Sequence, residues 1–204
     1  LNAFPVMLNL QNKRVAVIGG GSIAERKVRA LLPHQPELSV VSPEVTPGLA
    51  ALHEEGTLVW QKRAFHSSDV LNCFFVVAAA PHSVNEEVAR AVHPSTLLNV
   101  ASDASLGNAT IPAFEQAGSL TLALSTNGAS PAYAKQLTTA WAAQFTQQDE
   151  AYVAFLRTCR QLLKTKDVSA AYKREQLIQL LDPLYKDVRA QEQLLATLHA
   201  LPDQ

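Results

Sequence analysis

Val15-Ala16-Val17-Ile18-Gly19-Gly20-Gly21-Ser22-Ile23-Ala24-Glu25-Arg26-Lys27 decides the reading of this chain. A short apolar run ends in three glycines and passes into a helical pattern. Gly19, Gly21 and Ala24 fit the G-x-G-x-x-G/A spacing of a dinucleotide fold. Gly19 permits a tight turn. Gly21 lets the backbone approach a pyrophosphate with no Cβ in the way, and Ala24 lets the helix pack close to the strand. The phosphates then meet the helix N-terminus, where unpaired N–H groups and the helix dipole favour anions. The alternative is a bare glycine turn with no ligand.

The alternation continues on both sides of this motif. Arg14–Ile18 reads as a buried strand and is followed by a helix from about Ser22 to Leu32. Leu38–Ser42 is the next strand, ended by Pro43, and completes a βαβ unit. A short helix over Thr46–Glu55 closes at Gly56. Thr57–Gln61 reads as a third strand, Asn72–Ala79 as a fourth, Asn85–Val92 as a helix and Leu97–Ala101 as a fifth strand. This order predicts an α/β, Rossmann-like, doubly wound parallel sheet. After a polar stretch over Ser102–Pro112 the pattern changes. Ser119–Ser125 alternates, with Leu120, Leu122 and Leu124 on one face, so it belongs to a different sheet with one face open. A loop over Thr126–Pro131 leads into a helix from about Ala132, and the chain is helical from Asp149. Leu156, Cys159, Leu162 and Leu163 form one apolar stripe; Leu177, Leu180, Leu181 and Leu184 form another, interrupted at Pro183. The expected organisation is a nucleotide domain over 1–112, a small α+β dimerisation unit over 113–148 and a helical domain over 149–204.

Composition narrows the function classes. Of 204 residues 48% are hydrophobic and 17% charged, which describes a globular protein. A net charge of −1 gives no electrostatic case for nucleic acid or an anionic membrane. No apolar run approaches a membrane span, and no basic-then-apolar signal segment is present, so a cytoplasmic protein is expected. Cys73 and Cys159 form no C-x-x-C pair and read as reduced thiols. The six histidines show no ligand spacing, so no metal site is expected.

Several segments in order carry a resemblance. Phe4-Pro5-Val6-Met7-Leu8-Asn9-Leu10 runs into the glycine turn. Val41-Ser42-Pro43-Glu44 follows, then Val77-Ala78-Ala79-Ala80 with Asn85, and then Asn99-Val100-Ala101-Ser102-Asp103. Ile111-Pro112-Ala113 and Ser125-Thr126-Asn127-Gly128-Ala129-Ser130-Pro131 complete the set. Over residues 4 to about 145 the chain resembles the precorrin-2 dehydrogenase family, the stand-alone enzymes and the matching module of siroheme synthases. The resemblance implies NAD-dependent oxidation of precorrin-2 to sirohydrochlorin, on the route to siroheme or cobalamin. It also implies a homodimer built on the middle unit, and in some members ferrochelatase activity.

Residue roles follow from motif and resemblance together. Gly19, Gly20, Gly21, Ser22 and Ile23 are expected to wrap the pyrophosphate. Ser42 and Pro43 end the second strand where the adenosine ribose lies, with Glu44 the nearest acid. No Arg or Lys stands near Ser42 in sequence, which argues for NAD over NADP. Ala79 and Ala80 leave room for cofactor. Asn99 bonds a substrate carboxylate or the nicotinamide. Ser125, Thr126, Asn127, Gly128 and Ser130 offer hydroxyls and N–H groups to the substrate carboxylates, or else form a helix entry in which Ser130 caps. The resemblance implies an Asp at the position held here by Ser102, so the neighbouring Asp103 becomes the candidate base or metal-facing carboxylate, with an Asx-turn or cap as its alternative reading. Lys27 reads as part of a solvated helix face, and Arg157, Arg160, Lys164 and Lys166 as cations open to an anionic substrate. Two other readings stay open: a bifunctional dehydrogenase and ferrochelatase, against which Ser102 stands, and an NAD-sensing module without catalysis.

Overall fold

The computed structural model describes residues 3–204. They form two compact units that divide between Ile111 and Pro112. In the first, β1 (Arg14–Ile18), β2 (Glu37–Val41), β3 (Val59–Gln61), β4 (Phe75–Ala78) and β5 (Leu97–Val100) make one parallel sheet. Its order is β3-β2-β1-β4-β5. The reversal between β1 and β4 opens a crevice at the carboxyl ends of the strands, where such sheets bind ligands.

Both faces of the sheet are covered, and for that reason β4 and, after its exposed first residue Arg14, β1 are apolar throughout. Val15, Val17, Val40 and Val77 pack with Ala24, Val28 and Leu31 of α1 (Ser22–Leu31) and Leu49 of α2 (Pro47–Glu54). Ala16, Ile18, Val76 and Ala78 pack on the other face with Val88 of α3 (His82–Ala91). Each fully buried valine contributes roughly 1.5–3 kcal/mol. Helix α2 starts where Thr46 Oγ1 accepts from Leu49 N at 3.3 Å, with Pro47 in the first turn.

Boundaries differ from the sequence reading for local reasons. The fourth strand starts at Phe75, because Asn72 adopts a left-handed turn (φ 59°). The third starts at Val59, because Gly56 (φ 73°) closes α2 and Thr57 bonds back to Leu52. Helix α3 starts at His82, since Pro81 caps it and its carbonyl accepts from Asn85 N.

In the second unit β6 (Ala113–Ala117) pairs antiparallel with β7 (Leu120–Leu124). Helix α4 (Pro131–Ala142) packs on this hairpin. The sequence reading had one strand here; the AFEQA of β6 carries too little alternation to show itself. The helices α5 (Gln147–Thr165), α6 (Ala170–Gln179) and α7 (Val188–His199) bury Phe155, Cys159, Leu163, Leu180 and Leu198. The expected second stripe is only half realised. Leu180 is buried and Leu177 partly so, but Leu181 and Leu184 are exposed, because α6 ends at Gln179 and a 3₁₀ turn over Pro183–Lys186 redirects the chain.

Lys166 overturns its expected role as a substrate-facing cation. It is 3% exposed, and its Nζ donates to the carbonyls of His199 (3.0 Å) and Leu201 (2.9 Å) and pairs with Asp203 (2.8 Å). It ties the end of α5 to the end of α7. Lys166→Met keeps the apolar stem but strands two carbonyls. It is expected to cost roughly 2–4 kcal/mol and to lower the thermal midpoint by about 5–10 °C in calorimetry. An unchanged midpoint would show that the carbonyls find water instead.

Candidate functional site

At the carboxyl edge of the sheet the glycine turn folds as its spacing predicts. Gly19 has φ +122°, and a Cβ there would lie 2.3 Å from the Ala79 carbonyl oxygen. A Cβ on Gly20 would lie 2.0 Å from the Glu44 carbonyl oxygen, because residues 42–46 wrap over the turn and Thr46 N donates to Gly20 O at 2.9 Å. Gly21 is different. It caps α1 with no side-chain hydrogen bond, and a Cβ there would meet nothing within 4 Å. The first-turn N–H groups of α1, at Ser22 and Ile23, therefore face open space at the positive end of the helix.

A cavity of about 680 Å³ lies against this turn. Gly19, Gly20, Gly21, Ser42, Pro43, Ala79 and Ala80 line it, together with Glu44, Thr46, Phe65 and Val84. Ser22 and Ile23 are not on its wall and bear on it through the helix start alone. The volume is that of a small-molecule site. A glycine edge without Cβ, uncapped helix N–H groups and small alanines opposite fit an extended dinucleotide. A second groove of about 630 Å³, lined by Arg14, Glu37, Val59 and Asp69 among others, lies toward the opposite ends of the strands, away from the crevice.

Asn85 was not singled out for a role, yet it organises the cavity wall. It is fully buried; its Oδ1 accepts from Ala80 N (3.0 Å), and its Nδ2 donates to Ala80 O (2.9 Å) and Ser102 Oγ (3.0 Å). An Asn seven residues past the end of β4, on the buried face of a helix, is the available signal. Through it Ser102 becomes a fixed neighbour of the β4 exit.

Asp103 caps the 3₁₀ turn Ala104–Leu106, with Oδ1 accepting from Ser105 N (2.8 Å) and Ser105 Oγ (2.6 Å). These bonds hold its carboxyl below the usual range, with a smaller contribution from His82. The cap reading is therefore what the structure displays. Oδ2 makes no hydrogen bond among the described residues. Asn99 is 6% exposed, and its Nδ2 donates to Ala109 O at 3.0 Å. Its Oδ1 is buried without a partner, so the unsatisfied atom is an acceptor.

In the second unit the Ser125–Pro131 loop is a helix entry. Ser130 Oγ accepts from Tyr133 N (3.2 Å), Thr126 Oγ1 from Ser130 N (3.0 Å) and Ser125 Oγ from Asn127 N (3.1 Å). Asn127 (φ 52°) and Gly128 (φ 87°) take the left-handed conformation that the turn requires. Each of the three hydroxyls serves as an acceptor, which leaves its own proton to donate.

One other expectation changes. Lys27 is half-buried rather than solvated, and burial, more than the nearby Arg26, pushes its ammonium pKa down. Arg157 donates to Ser119 Oγ at 2.8 Å. Burial raises both thiols, Cys159 to about 11, which suits core residues and not nucleophiles. Among the described residues no three His, Cys, Asp or Glu side chains gather as metal ligands, and no helix is long and apolar enough to cross a membrane.

Comparison with known proteins agrees with this geometry. A family model for NAD(P)-binding domains matches residues 6–113, and one for the SirC C-terminal domain matches 150–194. The chain is 34% identical over 184 residues to a precorrin-2 dehydrogenase of Priestia megaterium, covering 90% of this chain and 91% of that one. It is 39% identical over 134 residues to that of Bacillus subtilis, covering 65% and 83%. The solved structure of SirC, precorrin-2 dehydrogenase, superposes with a TM-score of 0.82 at 33% identity, covering 97% and 99%.

Proposed function

The chain belongs to the precorrin-2 dehydrogenase family, and from that premise we propose how it oxidises precorrin-2 to sirohydrochlorin with NAD⁺. The reaction removes a hydride and a proton from the substrate and yields NADH. The observation that carries the reading is the cavity between Gly19–Gly21 and Ala79–Ala80 at the sheet's switch point. NAD⁺, when bound, supplies the hydride acceptor.

The protein's own groups do the rest. The N–H groups of Gly21, Ser22 and Ile23 hold the pyrophosphate at the start of α1, and Gly20 allows residues 42–46 to close over the turn. Ser42, Pro43 and Glu44 flank the adenosine ribose. Asn99 is buried and not on the cavity wall; of its two proposed partners, the orphan acceptor Oδ1 matches the carboxamide N–H of the nicotinamide, since a substrate carboxylate needs a donor and Nδ2 is committed to Ala109. The spare hydroxyl protons of Ser125, Thr126 and Ser130, with Asn127 and the Gly128 backbone, serve the substrate's carboxylates. Asp103 takes the proton through Oδ2, and Ser102, fixed by Asn85, sets the position of that carboxylate.

The working form is a cytoplasmic homodimer. Each strand of the β6–β7 hairpin has an unpaired edge, and Leu120, Leu122 and Leu124 are only half-buried. These features support the hairpin unit as the dimer surface.

The test is anaerobic turnover of precorrin-2 with NAD⁺, following NADH and sirohydrochlorin by absorbance. Equal amounts of the two products are expected. Binding of NAD⁺ without turnover would sink the dehydrogenase reading and leave a sensor.

A further inference from the structure

The sequence shows no cation beside Ser42, but the fold supplies one. Strand β3 runs parallel to β2 with Val41 opposite Gln61. Ser42 N donates to Gln61 O at 3.3 Å, and Trp60 Nε1 donates to Ser42 O at 2.9 Å. The residue that follows β3, Lys62, places its Nζ 5.5 Å from the centre of the Trp60 ring. Lys62 is not itself on the cavity wall, but it stands beside the strand end that carries Ser42, twenty residues from it in sequence and one strand away in space.

The charges around it are informative. Arg63, its neighbour, is committed to Asp69 by contacts of 2.5 and 2.7 Å. Lys62 has no carboxylate within ion-pair distance among the described residues. Where a carboxylate at the end of the second strand would reject a 2′-phosphate by charge, Ser42 offers a neutral hydroxyl, and that hydroxyl lies close to Gly20. Among the described residues Glu44 is the only ionisable one on the cavity wall, and it is exposed.

We infer that this end of the cavity admits a 2′-phosphate on the adenosine ribose, so that the chain binds NADP⁺ as well as NAD⁺. Lys62 and Ser42 hold the phosphate, and Glu44 accepts from the free ribose hydroxyls of NAD⁺. The two charged residues therefore set the preference in opposite directions. The inference rests on the dinucleotide reading of the same cavity.

The experiment is calorimetric titration of the whole chain with NAD⁺, NADP⁺, 5′-AMP and 2′,5′-ADP, in the wild type and in Lys62→Ala and Glu44→Gln. Lys62→Ala is expected to weaken NADP⁺ and 2′,5′-ADP about tenfold while NAD⁺ and 5′-AMP stay within about twofold. Glu44→Gln is expected to weaken NAD⁺ severalfold and spare NADP⁺. Wild-type NADP⁺ binding more than about a hundredfold weaker than NAD⁺, or an equal response of both dinucleotides to Lys62→Ala, overturns the inference and leaves the NAD⁺ site standing. If neither dinucleotide nor either fragment binds, the cavity is not a dinucleotide site, and both readings fall.

Discussion

Gly19→Ala is expected to destabilise the chain by about 3–5 kcal/mol, while Gly21→Ala, two residues on, is expected to fold normally and lose the dinucleotide. The difference comes from what each missing Cβ would meet. At Gly19 a side chain must be held at φ +122° with its Cβ 2.3 Å from the Ala79 carbonyl oxygen, so strain and overlap act together. Backbone stands on the other side of that contact, and it cannot swing away as a flexible side chain can. At Gly21 φ is −82°, a conformation any residue adopts, and the Cβ would enter open space. Folding is indifferent to that space, but a pyrophosphate lying on the α1 N-terminus is not. Thermal unfolding should drop by about 10 °C for Gly19→Ala and stay near wild type for Gly21→Ala. NAD⁺ affinity of Gly21→Ala should fall by about tenfold or more. Unchanged affinity would mean that the phosphates do not cross Gly21.

The same two glycines show what was readable in the sequence. The G-x-G-x-x-A spacing is readable because the close approaches it makes, though to residues as distant as Ala79, can be met only by glycine or a small side chain, and that demand is written in the residues themselves. The two central strands β1 and β4 were legible for a related reason: a stretch buried on both faces must be apolar at every position, as Val15–Ile18 and Phe75–Ala78 are. What escaped depends on partners distant in sequence. Strand β6 exists because it pairs with β7 and is covered by α4, and nothing in AFEQA announces that. Lys166 looks like a surface cation until α7 brings two carbonyls to its ammonium. Lys62 looks remote from Ser42 until β3 lies beside β2. Asn85 shows no more than a helix position until its amide is seen to span Ala80 and Ser102. In the candidate site, the geometry of the glycine turn could be read in advance, while the polar side chains that position its surroundings could not.

Asp103 is where the two levels of reading meet, and a conservative variant separates its roles. Asp103→Asn keeps an oxygen that accepts from Ser105 N, so the turn over Ala104–Leu106 and the fold should persist, with little change in thermal midpoint. It removes the charge. With Asp103 as proton acceptor, kcat should fall by about 10²–10⁴ while NAD⁺ affinity is kept. Asp103→Ala loses the cap as well, and is expected to add about 0.5–2 kcal/mol of destabilisation to the same kinetic loss. The pH dependence has a definite sign. The bonds from Ser105 lower the carboxyl below its ordinary value, so the basic form persists into more acidic solution. The acid limb of kcat should therefore lie below about pH 4, where an unperturbed aspartate titrates, and not near 6. A low pKa also makes a weaker base, so this assignment suits a step in which loss of the hydride has already made the substrate proton acidic. If Asp103→Asn turns over at the wild-type rate with an unaltered pH profile, the residue is a cap alone. In that case Ser102→Asp, which restores a carboxylate to the position the family uses and still accepts from Asn85, is the variant expected to raise kcat.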